Sequence, residues 1–389
     1  MPRTVLISGA SIAGPALAFW LARYGYQPTV VERAPALRMG GYAVDFRGAA
    51  MRVLERMGLI DEIRRFETRT GAITIVDGKG RKVASMPDGF TSGELEILRG
   101  DLAQVLYDAT CHETEYVFDD SISALRQDAT GVDVQFARGA PRRFDLVVGA
   151  DGLHSNVRSL VFGEEPCFVH NLGYAIAIFT VPNFLELDHT GQYYGELGRR
   201  VGLFCARDVR QATASFFFAT PPLEYDRRDP AAQKEILRRA FAGCGWEAPR
   251  LLSLMDAAPD FYFDSISQVR MEGWSRGRTV LLGDAADCPS PISGMGTSLA
   301  IVGAYVLAGE LKRAGSDIAA AFARYEARMQ PFTAGCQKLA EGVEWFLPTT
   351  RTKQWISRQI WKILPYTPWK NVMIEMPLKV GNSIALEDY

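Results

Sequence analysis

The sequence is poor in the residues that metal and thiol chemistry require. Four histidines and six cysteines (at 111, 167, 205, 244, 288 and 336) are scattered over 389 residues, with no CxxC pair and no spacing that gathers ligands. That pattern excludes a recognisable metal centre and a disulfide framework, and it predicts reduced thiols packed in the interior of a cytoplasmic protein. Excess charge is also lacking. Lys and Arg number 43 against 45 Asp and Glu, a net charge of −2, so no nucleic-acid surface is expected. No apolar run reaches the roughly 18–20 residues of a membrane span. The nearest, 294–309, is shorter and opens on a glycine turn. Arg3 followed by an apolar run to Leu21 imitates a secretory signal, but glycines interrupt it and it continues into Val30-Val31-Glu32, as folded protein would. Repeats, low-complexity linkers and Ser-His-Asp or Cys-His arrangements are missing too. The chain reads as a soluble protein, expected to be a monomer, and its charge balance suits a small neutral or zwitterionic substrate.

The length suggests two or three domains, or one core domain carrying a large insertion. The chain opens with a strand, Thr4–Ser8, a glycine turn, a helix over about 15–24, with Pro15 in its first turn, and a second strand, Thr29–Glu32. This is one βαβ unit. Helices are expected at 48–57 and 100–110, with a hairpin formed by Ile73–Val76 and Lys82–Ser85 around Asp77-Gly78-Lys79-Gly80. Hairpin-like runs fill 115–148. Between 166 and 270, alternating aromatic and aliphatic stretches (Tyr174–Val181, Gly191–Leu197, Val201–Ala206, Ala212–Ala219) predict an antiparallel sheet interrupted by a helix at 230–241. Strand Thr279–Leu282, a long helix from Gly296, and helical segments at 316–342 and 350–364 complete the chain.

Three motifs carry the chemistry. The first, Gly9-Ala10-Ser11-Ile12-Ala13-Gly14, is a strand-to-helix turn that can seat a pyrophosphate on helix N–H groups, with Ser11 replacing the usual middle glycine. Glu32 ends the next strand, where a carboxylate can bind adenosine ribose hydroxyls. The second, Gly149-Ala150-Asp151-Gly152-x-x-Ser155-x-x-Arg158, can order a loop at the pyrophosphate or can simply cap a helix. The third runs from Leu282-Gly283-Asp284-Ala285-Ala286 to Pro291-x-x-Gly294-Met295-Gly296. It offers a carboxylate for ribityl hydroxyls, bare backbone for a ring system and a helix N-terminus aimed at it.

The joint order and spacing of the three motifs resemble the single-component FAD-dependent aromatic hydroxylases, the para-hydroxybenzoate hydroxylase family, over nearly the whole chain. Gly40 to Gly48, Glu94 to Leu102, Phe261-Tyr262-Phe263-Asp264 and Asp284 to Pro291 look like the tetracycline-inactivating flavin monooxygenases, the tetracycline destructases. The resemblance implies an α/β fold. A Rossmann-like FAD-binding domain (1–70, 95–165 and 272–330) would be interrupted by a β-rich substrate domain (71–94 and 166–271), with C-terminal helices (331–389) bridging the two or forming a lid. It implies tightly bound FAD, transient NADPH, and oxygen transfer from O2 through a flavin C4a-hydroperoxide to a polycyclic enol or phenol, with an aromatic-polyketide hydroxylase as the alternative. Glu32, Arg33, Arg38, Asp45, Arg99 and Asp284 then join Gly9, Ser11, Ile12, Ala13, Gly14, Asp151, Pro291, Gly294, Met295 and Gly296 as candidate FAD contacts. Asp287, Met295 and Ser298 depart from the family pattern of histidine, glutamine and asparagine. No general base is expected, because the cofactor carries the chemistry.

Candidate substrate residues are Phe179, Tyr193, Arg199, Arg200, Phe216 and Phe218. Strand alternation lets only about half of them face one pocket, and only one of the adjacent arginines can point inward. The tail holds Trp345, Trp355, Trp361 and Trp369 among basic residues. It reads as a helix packed across the domains, as a lid, or as a membrane-surface helix.

Overall fold

The computed structural model describes residues 3–38, 40, 42–86 and 93–389. Gly41 of the Gly40–Gly48 run and residues 87–92 of the segment 71–94 lie outside them.

The first βαβ unit forms as its pattern demands. Strand Thr4–Ser8, with Val5, Leu6 and Ile7 fully buried, pairs in parallel with Gln27–Glu32 on one side and Leu146–Gly149 on the other. Helix Ala13–Arg23 crosses between the first two. Thr279–Leu281 and Glu115–Phe118 extend the parallel sheet at its two ends, and the short antiparallel strand Ser275–Arg276 closes one edge. Helix Gly296–Ala314, buried along most of its length, packs on helices Ala13–Arg23, Ala49–Met57 and Ile318–Lys338. A continuous apolar helix of this kind belongs in the interior of an α/β layer.

One expectation is corrected here. Glu115–Phe118 does not join a hairpin; it lies parallel to Gln27–Glu32 as a strand of the nucleotide sheet. Only Ile122–Gln127, Val132–Phe136 and Arg142–Phe144 form the antiparallel meander. Alternation identifies a strand but carries no information about its partner.

The second large sheet has seven strands, in the order Tyr262–Val269, Val169–Pro182, Gln211–Ala219, Arg199–Phe204, Gly191–Glu196, Ile73–Val76 and Lys82–Met86. One face is covered by helices Pro230–Ala240 and Ala248–Leu254. The other looks toward Tyr42 and Ile292 of the nucleotide-binding part and toward the C-terminal helices Val343–Phe346 and Arg351–Ile363. Helix Trp369–Gly381, which the two prolines Pro368 and Pro377 concealed in the sequence, then carries the chain back. The terminal Tyr389 packs against Gly309, and its hydroxyl donates to Glu310 at 2.8 Å. Among the described residues no helix is long and apolar enough to cross a membrane.

Candidate functional site

The turn after the first strand leaves no room for side chains at two positions. Gly9 has φ +107°, and a Cβ there would collide with the Ala150 carbonyl; a Cβ on Gly14 would collide with the Gly9 carbonyl. The Gly9 N–H donates to Val31 at 2.8 Å, which fixes the loop to the second strand. Ser11 is different, because its side chain has space and a partner: Arg99 Nη2 donates to its Oγ at 2.7 Å. Ile12 precedes the helix and Ala13 begins it, both buried. Glu32 accepts from the Ala10 N–H at 2.9 Å and the Ala34 N–H at 2.8 Å. The carboxylate therefore shapes the loop, with further lone pairs free to accept. Arg33 and Arg38 are exposed.

Asp151 spends its oxygens inside the protein. It accepts from Ser155 Oγ (2.5 Å), the N–H groups of Asn156 (2.9 Å) and Val157 (3.1 Å), and Ser8 Oγ (3.3 Å). It caps helix Asn156–Val161 and ties the first and second motifs together. Fully buried Arg158 ties the second to the third, donating to the Ala285 carbonyl at 2.9 Å.

Asp284 opens the short helix Asp284–Asp287 after Gly283 (φ +62°). Its side chain is solvent-accessible, yet desolvation still raises its carboxyl above the usual range, with Arg99 acting in the opposite direction. The carboxylate is thus open to solvent yet closely surrounded by protein. Gly296, first residue of the long helix, lies beside it: a Cβ there would sit 3.6 Å from Asp284 Oδ1. Pro291 is exposed, Met295 is fully buried, and Gly294 (φ +63°) offers its carbonyl to Arg47 Nη1 at 3.0 Å. Arg47 also pairs with Asp45 at 3.1 Å, and its backbone N–H donates to Ser298 Oγ at 3.3 Å.

Asp45 faces Glu96 across the antiparallel pair Ala43–Phe46 and Leu95–Leu98. Two buried carboxylates opposite each other cannot both ionise cheaply. Burial, and then Asp45, push Glu96 up to about 7, with Thr68 donating to it. Arg47 and Glu96 thus belong to the site although the sequence reading assigned them no role, and Tyr42 joins them through its electrostatic interaction with Arg99 and Asp284. The signal was their place inside the quoted Gly40–Gly48 and Glu94–Leu102 runs.

Asp287 turns away from the cleft. It is 2% exposed, accepts from Thr333 Oγ1 at 2.6 Å, and leaves Oδ1 without a partner; burial pushes its carboxyl up to about 7.

The candidate substrate residues divide between the faces of the seven-stranded sheet. Phe179, Phe216 and Phe218 are a correction: they are buried on the face covered by helices Pro230–Ala240 and Ala248–Leu254, with Phe216 meeting Phe241 edge-on at 4.9 Å. Arg199 shares that face, bonded to Glu196 at 2.5 Å and to the Ala240 and Ala242 carbonyls. Tyr193 and Arg200 point the other way, with Ile176, Ile178 and Phe217. The Arg200 guanidinium lies 4.1 Å from the Phe346 ring centroid and 5.4 Å from that of Tyr193. Its Nη1 is buried without a hydrogen-bond partner, and burial pulls its pKa down to about 10. Tyr193 is pushed up to about 12 by the same burial. A cavity of about 40 Å³ lies here, lined by Tyr193, Arg200, Phe346, Ser357 and Trp361 among others.

A further cluster links the two parts. His154 sits between Glu165 (Nδ1, 3.0 Å) and Asp264 (Nε2, 3.0 Å), and burial pushes Asp264 up to about 6. Arg227 completes the cluster, with its guanidinium against both His154 Nδ1 and the Glu165 carboxylate.

The residues present fit FAD. Two glycines that admit no Cβ, an arginine held at the loop, and a desolvated yet accessible carboxylate beside a helix N-terminus form a cradle for a dinucleotide extending into the cleft. Residues 3–335 match the model of the FAD-binding-domain family. A protein of Mycobacterium tuberculosis, itself uncharacterised, is 51% identical over 336 residues, covering 85% of this chain and 90% of that one. A flavin-dependent monooxygenase of Legionella longbeachae is 38% identical over 390 residues, 99% and 98% of the two chains. The crystal structure of tetracycline destructase Tet(51) superposes with a TM-score of 0.89 at 36% identity, over 100% of both chains. With a family match over most of its length and relatives of this identity, the chain belongs to the FAD-binding-domain family and is a flavin-dependent monooxygenase.

Proposed function

We propose that the enzyme consumes NAD(P)H and O2 to insert one oxygen atom into a polycyclic enol or phenol, with tetracyclines as the substrate class. The observation that carries this reading is Arg200. A buried guanidinium with an unpartnered N–H, held between two aromatic rings, is costly until an anionic oxygen meets it. An enolate on a planar polycycle supplies that oxygen and lies against the same rings. FAD would be held by the loop from Gly9 to Gly14, by Glu32, Arg33 and Arg38, by Asp45 and Arg99, and by Asp284 with Pro291, Gly294, Met295 and Gly296; Asp151 orders the loop between them. Bound there, FAD supplies the redox and oxygen-activating chemistry. NADPH has no second dinucleotide loop to occupy, so it would act as a transient donor.

The protein's own part is orientation and exclusion of water. Arg47 joins Asp45 to the Gly294 carbonyl and so fixes the backbone beside the helix N-terminus. The cavity at Arg200 is roughly tenfold smaller than the several hundred Å³ a polycycle needs. Segment 343–364 would therefore lift for substrate to enter and close over it afterward. Tetracycline-dependent NADPH oxidation with a mass gain of one oxygen is the expected result. Turnover of an aromatic polyketide with none of tetracyclines would instead assign the enzyme to biosynthesis.

A further inference from the structure

The C-terminal helices have a second face that the cleft does not use. Helix Arg351–Ile363 turns Ser357 and Trp361 inward and Trp355 and Ile363 outward. Tyr366 and the helix residues Trp369, Val372 and Met376 continue the outward strip. The aromatic members are the most open: Trp355 is 64% exposed, Trp369 68% and Tyr366 90%. Single exposed hydrophobes are ordinary, but five on two consecutive helices with Tyr366 in the turn between them form a patch, and patches mark contact surfaces.

Charge states what kind of contact. Residues 351–381 contain six basic side chains (Arg351, Lys353, Arg358, Lys362, Lys370 and Lys379) and one acidic, Glu375, a local charge of +5 in a chain whose total is −2. Lys353 pairs with Glu344 and Lys379 with Glu375. Among the described residues, no ion pair engages Arg351, Arg358, Lys362 or Lys370. On the helical wheel, Arg351 and Lys362 fall within about 40° of Trp355, whereas Arg358 lies at the edge of the strip and lines the cavity beside Arg200. Aromatic rings and cations are therefore interleaved on one surface.

We infer that this surface docks on an anionic phospholipid bilayer. Trp and Tyr settle at headgroup depth, where ring and polar edge are both satisfied, while Lys and Arg lay their stems along the apolar boundary and reach anionic headgroups. A second copy of the chain is the poorer occupant, because two-fold pairing would set +5 against +5. The binding is peripheral, and it leaves the inward face of the same helices over the cleft.

The test uses the full-length FAD-loaded protein sedimented with vesicles, either phosphatidylglycerol mixed with phosphatidylcholine or phosphatidylcholine alone. Partition onto the anionic vesicles is expected, at least tenfold above that onto neutral ones and falling as salt is raised. A Trp355→Ser/Trp369→Ser double variant and a Lys362→Gln/Lys370→Gln double variant should each lose tenfold or more of that binding while keeping their melting temperature. Absence of binding to anionic vesicles at low salt would overturn the inference. So would equal binding by either variant, equal binding to neutral vesicles, or a wild-type dimer in sedimentation velocity that the tryptophan variant dissolves.

Discussion

On the face of the seven-stranded sheet that meets helices Pro230–Ala240 and Ala248–Leu254, Phe179 stacks on Phe216, Phe216 and Phe218 meet Phe241, and Arg199 is bonded to Glu196 and to the Ala240 and Ala242 carbonyls. On the opposite face the residues are also aromatic, but they surround Arg200, whose Nη1 has no partner, and a small cavity. The two faces share a backbone and differ in satisfaction. The first contributes stability. The second gives some of it up, which is the usual condition of a surface awaiting a ligand.

Substitutions can break this comparison in order of expected size. Phe216→Ala empties a fully buried ring position and should cost about 3–5 kcal/mol of stability, read as a lower melting temperature with KM for the substrate unchanged. An equal shift in KM would join the two faces into one site. Asp287→Asn takes the comparison beyond the sheet to a second unsatisfied group. Burial raises the Asp287 carboxyl from 3.8 to about 7, so the folded state favours its protonated form, and stability is lost as pH rises from about 4 through about 7. The isosteric amide should remove that loss, on the order of 2–4 kcal/mol at pH 8. Melting curves at pH 5 and pH 8 should diverge less for the variant than for the wild type; parallel curves would contradict the assignment. Arg200→Met should leave the melting temperature unchanged or raised, because it removes a desolvated cation. It should raise KM at least tenfold, consistent with loss of a charged hydrogen bond of about 1.5–3 kcal/mol. A stability loss with KM intact would return Arg200 to the structural face. Ser11→Gly should have the smallest effect, at most about 1 kcal/mol through the lost Arg99 bond, with FAD absorbance retained on purification.

Local chemistry made the nucleotide loop legible, because Gly9 and Gly14 are required by collisions within a few residues or across one strand. The sheet faces were not legible. Ser215-Phe216-Phe217-Phe218 is aromatic at three successive positions, so alternation carries no signal there, and it took the register with Arg199–Phe204 to turn Phe217 toward the cleft and its neighbours away. The adjacency of Arg199 and Arg200 said that one faces inward; Glu196 and two helix carbonyls decided which. Helix Trp369–Gly381 falls within the helical tail expected over 331–389, but its own bounds were not legible because Pro377 lies inside it. Glu96 escaped notice because its significance lies in the opposite strand, where Asp45 stands across from it.

The covering segment is held at both ends. The Gly198 N–H donates to the Pro348 carbonyl at 2.8 Å before helix Arg351–Ile363 begins, and at the end of the last helix Gly381 lies so close to Gly48 that a Cβ on Gly48 would collide with the Gly381 backbone. A stretch of chain clamped twice cannot drift off like a free tail; it can only bow. If it opens as proposed for substrate entry, its effective concentration over the site would stay high, and reclosure would need no search. Cutting either clamp would convert a fast intramolecular return into a slow and entropically expensive one.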